Sequence, residues 1–361
     1  MKNIAIVIDS LAGGGAEKVM LVLAKKMVSL GHKVSIFSLK QVTEYEVSEG
    51  IELIFPLISY KGAIRGWFNT ATLAEQLKKA VKTQEERHGN FDLSLLNLYE
   101  SYRIGGAANL PNCYYVMHNS CEQELKREWR MGPIKYWYMK RILRSLTGKR
   151  LIGVSKGVSH ELANTSLFSP ERVAHIYNPF DVDDIRKQAK EPIDFDRNQA
   201  FILHVGRAAK AKRHDVLFRA FAGVSADYKL VCLSNNIKKL RKLAHKHGIS
   251  DRVVLPGFQE NPYAWMNRAD LLVLSSDFEG LSLVLIEGLI CGTKLVSTNC
   301  PHGPSEILTG DQKKYLVEVG NFEALARAIN EALAYDRALS GLQLVNQVDV
   351  SQVVDKYLAL A

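Results

Sequence analysis

Short apolar runs alternate along the chain with longer stretches whose apolar residues recur at helical spacing. Runs of this kind, rich in Val, Ile and Leu, read as strands buried on both faces of a parallel sheet. Their alternation with helices is the pattern of an α/β fold. In the first half the predicted strands are Ile4–Ile8, Val34–Leu39, Glu52–Phe55, Leu93–Leu98, Tyr114–Met117, Leu151–Val154 and Val173–Tyr177. In the second half they are Phe201–Val205, Lys229–Leu233, Val253–Leu255, Leu271–Leu274, Leu295–Ser297 and Tyr315–Val317. Between them lies Asp181–Arg197, polar, charged and broken by Pro192, which reads as a linker region. With 361 residues the chain exceeds one ordinary core. The expected organisation is two Rossmann-like parallel-sheet domains, 1–180 and 181–345, with a final helix in 346–361. No repeat or low-complexity tract interrupts the pattern.

Composition narrows the class. No segment has eighteen uncharged apolar residues, so no spanning helix is expected. Met1-Lys2-Asn3 runs straight into the strand Ile4–Ile8, which is too short and too soon followed by Asp9 for a signal peptide. Five cysteines, an odd number with no C-x-x-C pair, fit a reduced cytoplasm and buried free thiols. The net charge of +9 is concentrated. The segment Lys126–Arg150 holds nine basic residues and one acid, Glu128, beside Trp129, Tyr136, Trp137 and Tyr138.

The chemistry concentrates at strand ends. Glu279 and Glu287, with seven residues between them, follow the strand Leu271–Leu274. Glu279 falls in the turn at the strand's carboxyl end, where open α/β sheets bind ligands. Glu287 falls about two turns into a helix read as Leu281–Cys291, and the N–H groups of Gly280, Leu281 and Ser282 suit an anion. Semi-buried among Leu283, Leu285, Ile286 and Leu289, Glu287 needs a partner. Arg207 and Lys212 follow Gly206 after the strand Phe201–Val205; Arg can fork two phosphate oxygens while Lys acts as a point charge. Lys210 and Arg213 close by leave open a solvated basic face. Gly13-Gly14-Gly15 lets backbone approach a ligand, or forms a tight turn only. A dinucleotide fingerprint is excluded, since Lys18 occupies its third glycine position. His118 ends the strand Tyr114–Met117, and a lone histidine there is more often structural. The acidic runs Asp181–Asp184 and Asp194-Phe195-Asp196 read as solvated, turn-forming residues and not as a metal site.

Taken in order, these segments resemble the retaining glycosyltransferases of family 4, which have the GT-B fold. The resemblance covers nearly the whole chain. It rests on Gly14-Gly15-Ala16-Glu17, Val116-Met117-His118-Asn119, Val154-Ser155-Lys156 and Tyr177-Asn178-Pro179. It rests also on Gly206-Arg207 with Lys212, the two glutamates Glu279 and Glu287 as an E-x7-E signature, and Gly303-Pro304-Ser305-Glu306. It implies an active site in the cleft between two domains, and a last helix that crosses back onto the first. It implies that Arg207 and Lys212 face the donor diphosphate, that Glu279 touches the donor sugar and that Glu287 accepts from the ribose hydroxyls. Gly14 and Gly15 would shape the cleft, and His118 would contact the transferred sugar without acting as the base. No metal is required on this reading, since cations and helix N-termini neutralise the leaving diphosphate.

The expected activity is transfer of a sugar from a nucleotide diphosphate-sugar to a hydroxyl of a glycan or lipid-linked acceptor, in lipopolysaccharide or polysaccharide synthesis. Other GT-B activities, an epimerase or a phosphorylase, and a non-catalytic membrane-associated glycan-binding protein stand as alternatives. Lys126–Arg150 suits an anionic membrane surface on the cytoplasmic face. The spacing of Met139, Ile142, Leu143 and Leu146 equally suits a core-packed helix with a basic outer face. Nucleic acid is not expected as a partner.

Overall fold

The computed structural model describes residues 1–335 and 342–361. The chain divides into two compact units, Met1–Phe180 with Gln347–Ala361, and Asp181–Asn346. All of the predicted strands form, each within a residue or two of its expected ends; the central ones are buried on both faces, while β3, β7 and β10 are only half-buried.

The first unit contains β1 (Asn3–Ile8), β2 (Lys33–Ser38), β3 (Ile51–Ile54), β4 (Leu93–Asn97), β5 (Cys113–Met117), β6 (Arg150–Gly153) and β7 (Arg172–His175). They make one parallel sheet in the order β3-β2-β1-β4-β5-β6-β7. The helices are α1 (Gly15–Ser29), α2 (Thr70–His88), α3 (Tyr99–Ala108), α4 (Cys121–Arg130), α5 (Pro133–Arg144) and α6 (Lys156–Asn164). Helices of this unit bury an apolar stripe, for example Val19, Met20, Leu23 and Met27 of α1, while α4 and α5 pack against each other. Met139, Ile142 and Leu143 of α5, with Leu146 after it, all join this core.

The second unit holds α7 (Val182–Gln188), β8 (Phe201–Val205), α8 (His214–Phe221), β9 (Lys229–Leu233), α9 (Ile237–Lys246) and β10 (Val253–Gly257). It continues with α10 (Pro262–Arg268), β11 (Leu271–Leu274), α11 (Leu283–Ile290), β12 (Leu295–Thr298), α12 (Pro304–Ile307), β13 (Leu316–Val317), α13 (Phe322–Ala334) and α14 (Leu342–Val348). Its sheet is also parallel, in the order β10-β9-β8-β11-β12-β13. The chain re-enters the first unit at the end of α14, from Gln347, and continues there as α15 (Val350–Leu358). There the Phe180 N–H donates to the Val348 carbonyl (2.9 Å) and the Val350 N–H to the Phe180 carbonyl (2.8 Å). Val353, Val354 and Tyr357 are fully buried, and α15 packs against α1.

Two sequence expectations need correction. Asp181–Arg197 is not a bare linker. Its first part is α7, capped by the Asp181 carboxylate accepting from the Asp184 N–H (3.1 Å), with Val182 and Ile185 buried against α10 and α11. And α11 begins at Leu283, two residues later than read, because Ser282 takes the extended conformation of a capping residue. Gly280, Leu281 and Ser282 are therefore the turn before the helix. Glu287 lies about one turn into it, not two.

Candidate functional site

In each sheet one pair of neighbouring strands has its connections leaving in opposite directions, β1/β4 in the first unit and β8/β11 in the second. A crevice opens at the carboxyl ends of such a pair, the usual ligand position in doubly wound sheets.

In the second unit this crevice is built from the loops after β8 and β11. The first contains Gly206, Arg207 and a single 3₁₀ turn, Lys210–Lys212. The second runs from Ser275 to Ser282. The Lys212 ammonium donates to Glu279 Oε1 (2.8 Å), and both side chains are largely shielded from solvent. Arg207 is exposed and makes no ion pair among the described residues. Glu287 is buried on α11, and the Tyr263 hydroxyl of α10 donates to its Oε1 (3.4 Å). Ser282 is buried at the cap position, yet its Oγ has no hydrogen-bond partner among the described residues, nor has the buried Ser276 Oγ. A buried hydroxyl without a partner is costly, and a ligand oxygen in the crevice offers one. The turn is backed by the loop after β12. The Glu279 N–H donates to the Pro301 carbonyl (3.3 Å). Gly303, at φ +90°, lies so close that a Cβ there would meet the Ser282 nitrogen at 3.0 Å.

Beneath the Gly206–Lys212 loop lie two buried histidines with ring centroids 4.7 Å apart. His204 Nδ1 donates to the Val273 carbonyl (2.9 Å). Burial pushes His204 down to about 4 and His214 to about 2, so both are neutral across the physiological range.

In the first unit, Gly14 caps α1, and its carbonyl accepts from the Tyr45 hydroxyl (3.1 Å). A Cβ at Gly14 would meet the end of the Glu17 side chain, which packs over this turn, and Gly15 opens the helix. His118 stands at the end of β5 and its Nε2 lies 2.9 Å from Asn97 Oδ1. The Asn97 amide nitrogen donates to the Leu95 (3.1 Å) and Val7 (3.4 Å) carbonyls, which fixes its oxygen toward the imidazole. The proton therefore sits on Nε2, and Nδ1 keeps its lone pair. Burial pushes His118 down to about 4.

Sequence reasoning missed several residues. Asn97 orients His118. Asp9, at the end of β1, accepts from the Ser101 N–H (2.7 Å), the Ser101 hydroxyl (2.8 Å) and the Glu100 N–H (3.2 Å). It thereby pins the start of α3 beside Leu98, which is held at φ +72°. Tyr263 supports Glu287, and Arg213 with Asp277 ties the loops after β8 and β11 together. The pairing of a strand-end acid with groups on another strand leaves no trace in local spacing. Two surface cavities, about 510 Å³ beside Trp67 and Arg141 and about 780 Å³ beside Phe195 and Trp265, take in none of the candidate residues.

The basic stretch separates into two kinds of residue. Tyr138 turns inward and its hydroxyl donates to Glu100 (2.8 Å); Arg141 stacks on Trp67 (4.1 Å); Arg127 pairs with Glu124 and Glu128. These are committed to the unit itself. At the α4–α5 elbow, however, Trp129 (62%), Met131 (53%), Ile134 (84%) and Trp137 (57%) are exposed.

Comparison with known proteins agrees with this architecture. Residues 13–184 match the model of glycosyltransferase family 4, and residues 185–340 that of the glycosyl transferases group 1. The chain is 30% identical over 352 residues to N-acetylgalactosamine-N,N'-diacetylbacillosaminyl-diphospho-undecaprenol 4-alpha-N-acetylgalactosaminyltransferase of Campylobacter jejuni, covering 93% of this chain and 92% of that protein. It is 25% identical to the lipopolysaccharide 1,6-galactosyltransferase of Escherichia coli K12, over 51% of this chain and 52% of that one. The Anabaena HepE structure, solved with UDP and glucose, superposes with a TM-score of 0.71 at 19% identity, covering 99% of both chains. Matched in both halves and along nearly its full length, the chain belongs to the family 4 glycosyltransferases and has their GT-B fold.

Proposed function

We propose that this glycosyltransferase moves a sugar, with retained anomeric configuration, from a nucleotide diphosphate-sugar to a hydroxyl of a lipid-linked or lipopolysaccharide-type glycan. The observation that carries the donor reading is the β8/β11 crevice. Two cations, a turn of backbone N–H groups and orphaned serine hydroxyls converge there with two carboxylates of different burial. Arg207, exposed and unpaired among the described residues, forks the diphosphate; Lys212 adds a point charge, and the N–H groups of Gly280, Leu281 and Ser282 complete the cradle. Charge that builds on the leaving diphosphate is stabilised by these fixed groups, with no metal required. Glu279 accepts from donor-sugar hydroxyls. Glu287, held by Tyr263, accepts from the ribose. The neutral His118 offers its Nδ1 lone pair to a sugar hydroxyl and holds the sugar's orientation.

The acceptor class is supported by the names of the two relatives, one acting on a diphospho-undecaprenol glycan and one on lipopolysaccharide. Such acceptors are anchored in a membrane, and the α4–α5 elbow fits its cytoplasmic surface. Trp129, Met131, Ile134 and Trp137 supply an apolar tip, with Lys126, Arg130 and Lys140 around it. The test is a thermal-shift screen of UDP-, GDP- and ADP-sugars on the full chain, since a ligand of the native state alone raises apparent stability. A shift with one of these donors is the expected result, and turnover onto a lipid-linked acceptor should follow. If none of the three nucleotide classes shifts the midpoint, the donor reading falls.

A further inference from the structure

The donor-side loops are held together by more than the Lys212–Glu279 pair. Arg213 follows Lys212 directly and adopts a left-handed backbone, φ 46° and ψ 48°. An arginine gains nothing from that conformation, which L-residues other than Asn and Asp rarely adopt. Its side chain accounts for the choice. The guanidinium forks Asp215 in the first turn of α8, with Nε to Oδ1 at 3.0 Å and Nη2 to Oδ2 at 3.0 Å. Its remaining arm, Nη1, crosses to Asp277 Oδ1 in the β11 loop (2.8 Å). Two further bonds join the same loops, Asp277 N–H to the Ala211 carbonyl (2.8 Å) and Ser275 hydroxyl to the Lys212 carbonyl (2.8 Å). Lys212 is adjacent to one end of this staple, and Glu279 is two residues from the other.

We propose that Arg213, acting through Asp277, is a positioning residue that sets Lys212 and Glu279 at their working separation across the donor crevice. The inference rests on the donor reading above. Arg213 itself touches no donor group; it reads the position of the β11 loop and transmits it to the β8 loop. Misplacement by about 1 Å of groups that must meet a reacting phosphate and sugar costs on the order of 100-fold in rate.

The decisive variant is Arg213→Gly. Glycine adopts the left-handed conformation freely, so the fold at this position is kept while the staple is cut. With the nucleotide-sugar found for the wild type, kcat should fall about 10- to 100-fold, more than affinity for the free nucleoside diphosphate, to which Arg207 still contributes. Asp277→Asn should produce a similar fall, and the double variant should lose no more than the worse single one. Arg213→Lys keeps the charge but not the fork and should recover part of kcat. Hydrogen exchange on the unliganded protein gives a reading independent of any donor. Peptides spanning 207–213 and 275–279 should exchange faster in Arg213→Gly, while the strands keep their protection. Wild-type kcat in Arg213→Gly, multiplicative losses in the double variant, or unchanged exchange in both loops would each overturn the staple. Absence of donor binding by the wild type would instead overturn the donor reading and leave the exchange result to decide the staple.

Discussion

Single residues in the β8/β11 crevice differ in environment, and those differences predict separable effects. Arg207 is exposed and Glu279 is paired with Lys212. Arg207→Ala and Glu279→Ala should each lower turnover at least ~100-fold, the size of a lost transition-state contact, with an unchanged circular dichroism spectrum. Near-normal turnover in either variant removes that residue from the site. Glu287 is buried and supported by Tyr263. Glu287→Gln should weaken binding of the nucleoside diphosphate by about 1.5–3 kcal/mol, the value of a hydrogen bond to a charged group. Calorimetry showing equal affinity would exclude the ribose contact. The histidine pair has a different signature. Burial holds His214 at about 2 against 6.5 in the open chain, so the unfolded chain takes up a proton that the folded one refuses. The stability set by this group is complete above about pH 6.5 and falls as the pH drops below it. Between pH 7 and pH 5 that loss is about 2 kcal/mol. His214→Phe keeps an aromatic ring against His204 and removes a buried nitrogen without a partner. Its melting temperature should fall less than that of the wild type between pH 7 and pH 5, and parallel curves would contradict the assignment.

At the scale of elements, the β8/β11 crevice is made by three loops that follow β8, β11 and β12. Each leaves its strand on time because a turn residue stops the apolar run: Gly206, Ser276–Asp277 and Asn299–Pro301. The strands were legible in the sequence, as were the turns that hold Gly206 and Glu279. What was not legible is how closely the third loop presses on the second. Gly303 is at φ +90° with only 3.0 Å between a would-be Cβ and the Ser282 nitrogen. Gly303→Ala should therefore strain the backbone and push the Gly280–Ser282 turn out of place. The expected cost is about 1–3 kcal/mol in stability, and donor affinity should fall with it. A variant with unchanged melting temperature and donor affinity would show that the turn tolerates the displacement. The helix after this turn starts two residues later than its apolar content indicated. Leu281 is apolar and helix-favouring, but it is buried before the helix begins, a case of tertiary packing overriding propensity.

For the whole molecule, charge is the feature that sequence composition reads least well. Lys126–Arg150 is basic in sequence, but Arg127, Arg141 and Tyr138 face partners within the first unit. The membrane prediction therefore moves from the helix as a whole to its exposed elbow. Replacing Trp129 and Trp137 with Ser should weaken sedimentation with anionic liposomes at least tenfold, more than salt alone does, because buried apolar area and charge both contribute. Helix α9 supplies a control: Lys238, Lys242 and Lys246 are exposed on a strongly basic helix that carries no Trp, Tyr or Phe. Replacing these three with Gln should affect liposome binding less than the two tryptophan changes. Equal losses would make the interaction a matter of net charge only, and an intact elbow variant would remove the membrane assignment.

The sequence by itself determined the class and the cast. Apolar runs of strand length have few alternatives to a buried parallel sheet, and local turn residues punctuate them without reference to anything distant. The same local order placed Arg207, Lys212 and Glu279 in turns after strands, Glu287 in the helix that follows, and His118 and Gly14–Gly15 after strands likewise. Only the tertiary structure decided how these residues are used. Strand order is not local: β8 lies beside β11 with two strands and three helices between them in the chain, and that adjacency creates the crevice. It alone brings Lys212 to Glu279 and Arg213 to Asp277, across sequence separations of more than sixty residues. It alone assigns Asn97 to His118 and Asp9 to Ser101. It also divides a run of cations into those that serve the fold and those left for solvent, because burial is a property of packed surfaces and not of the order of residues along the chain.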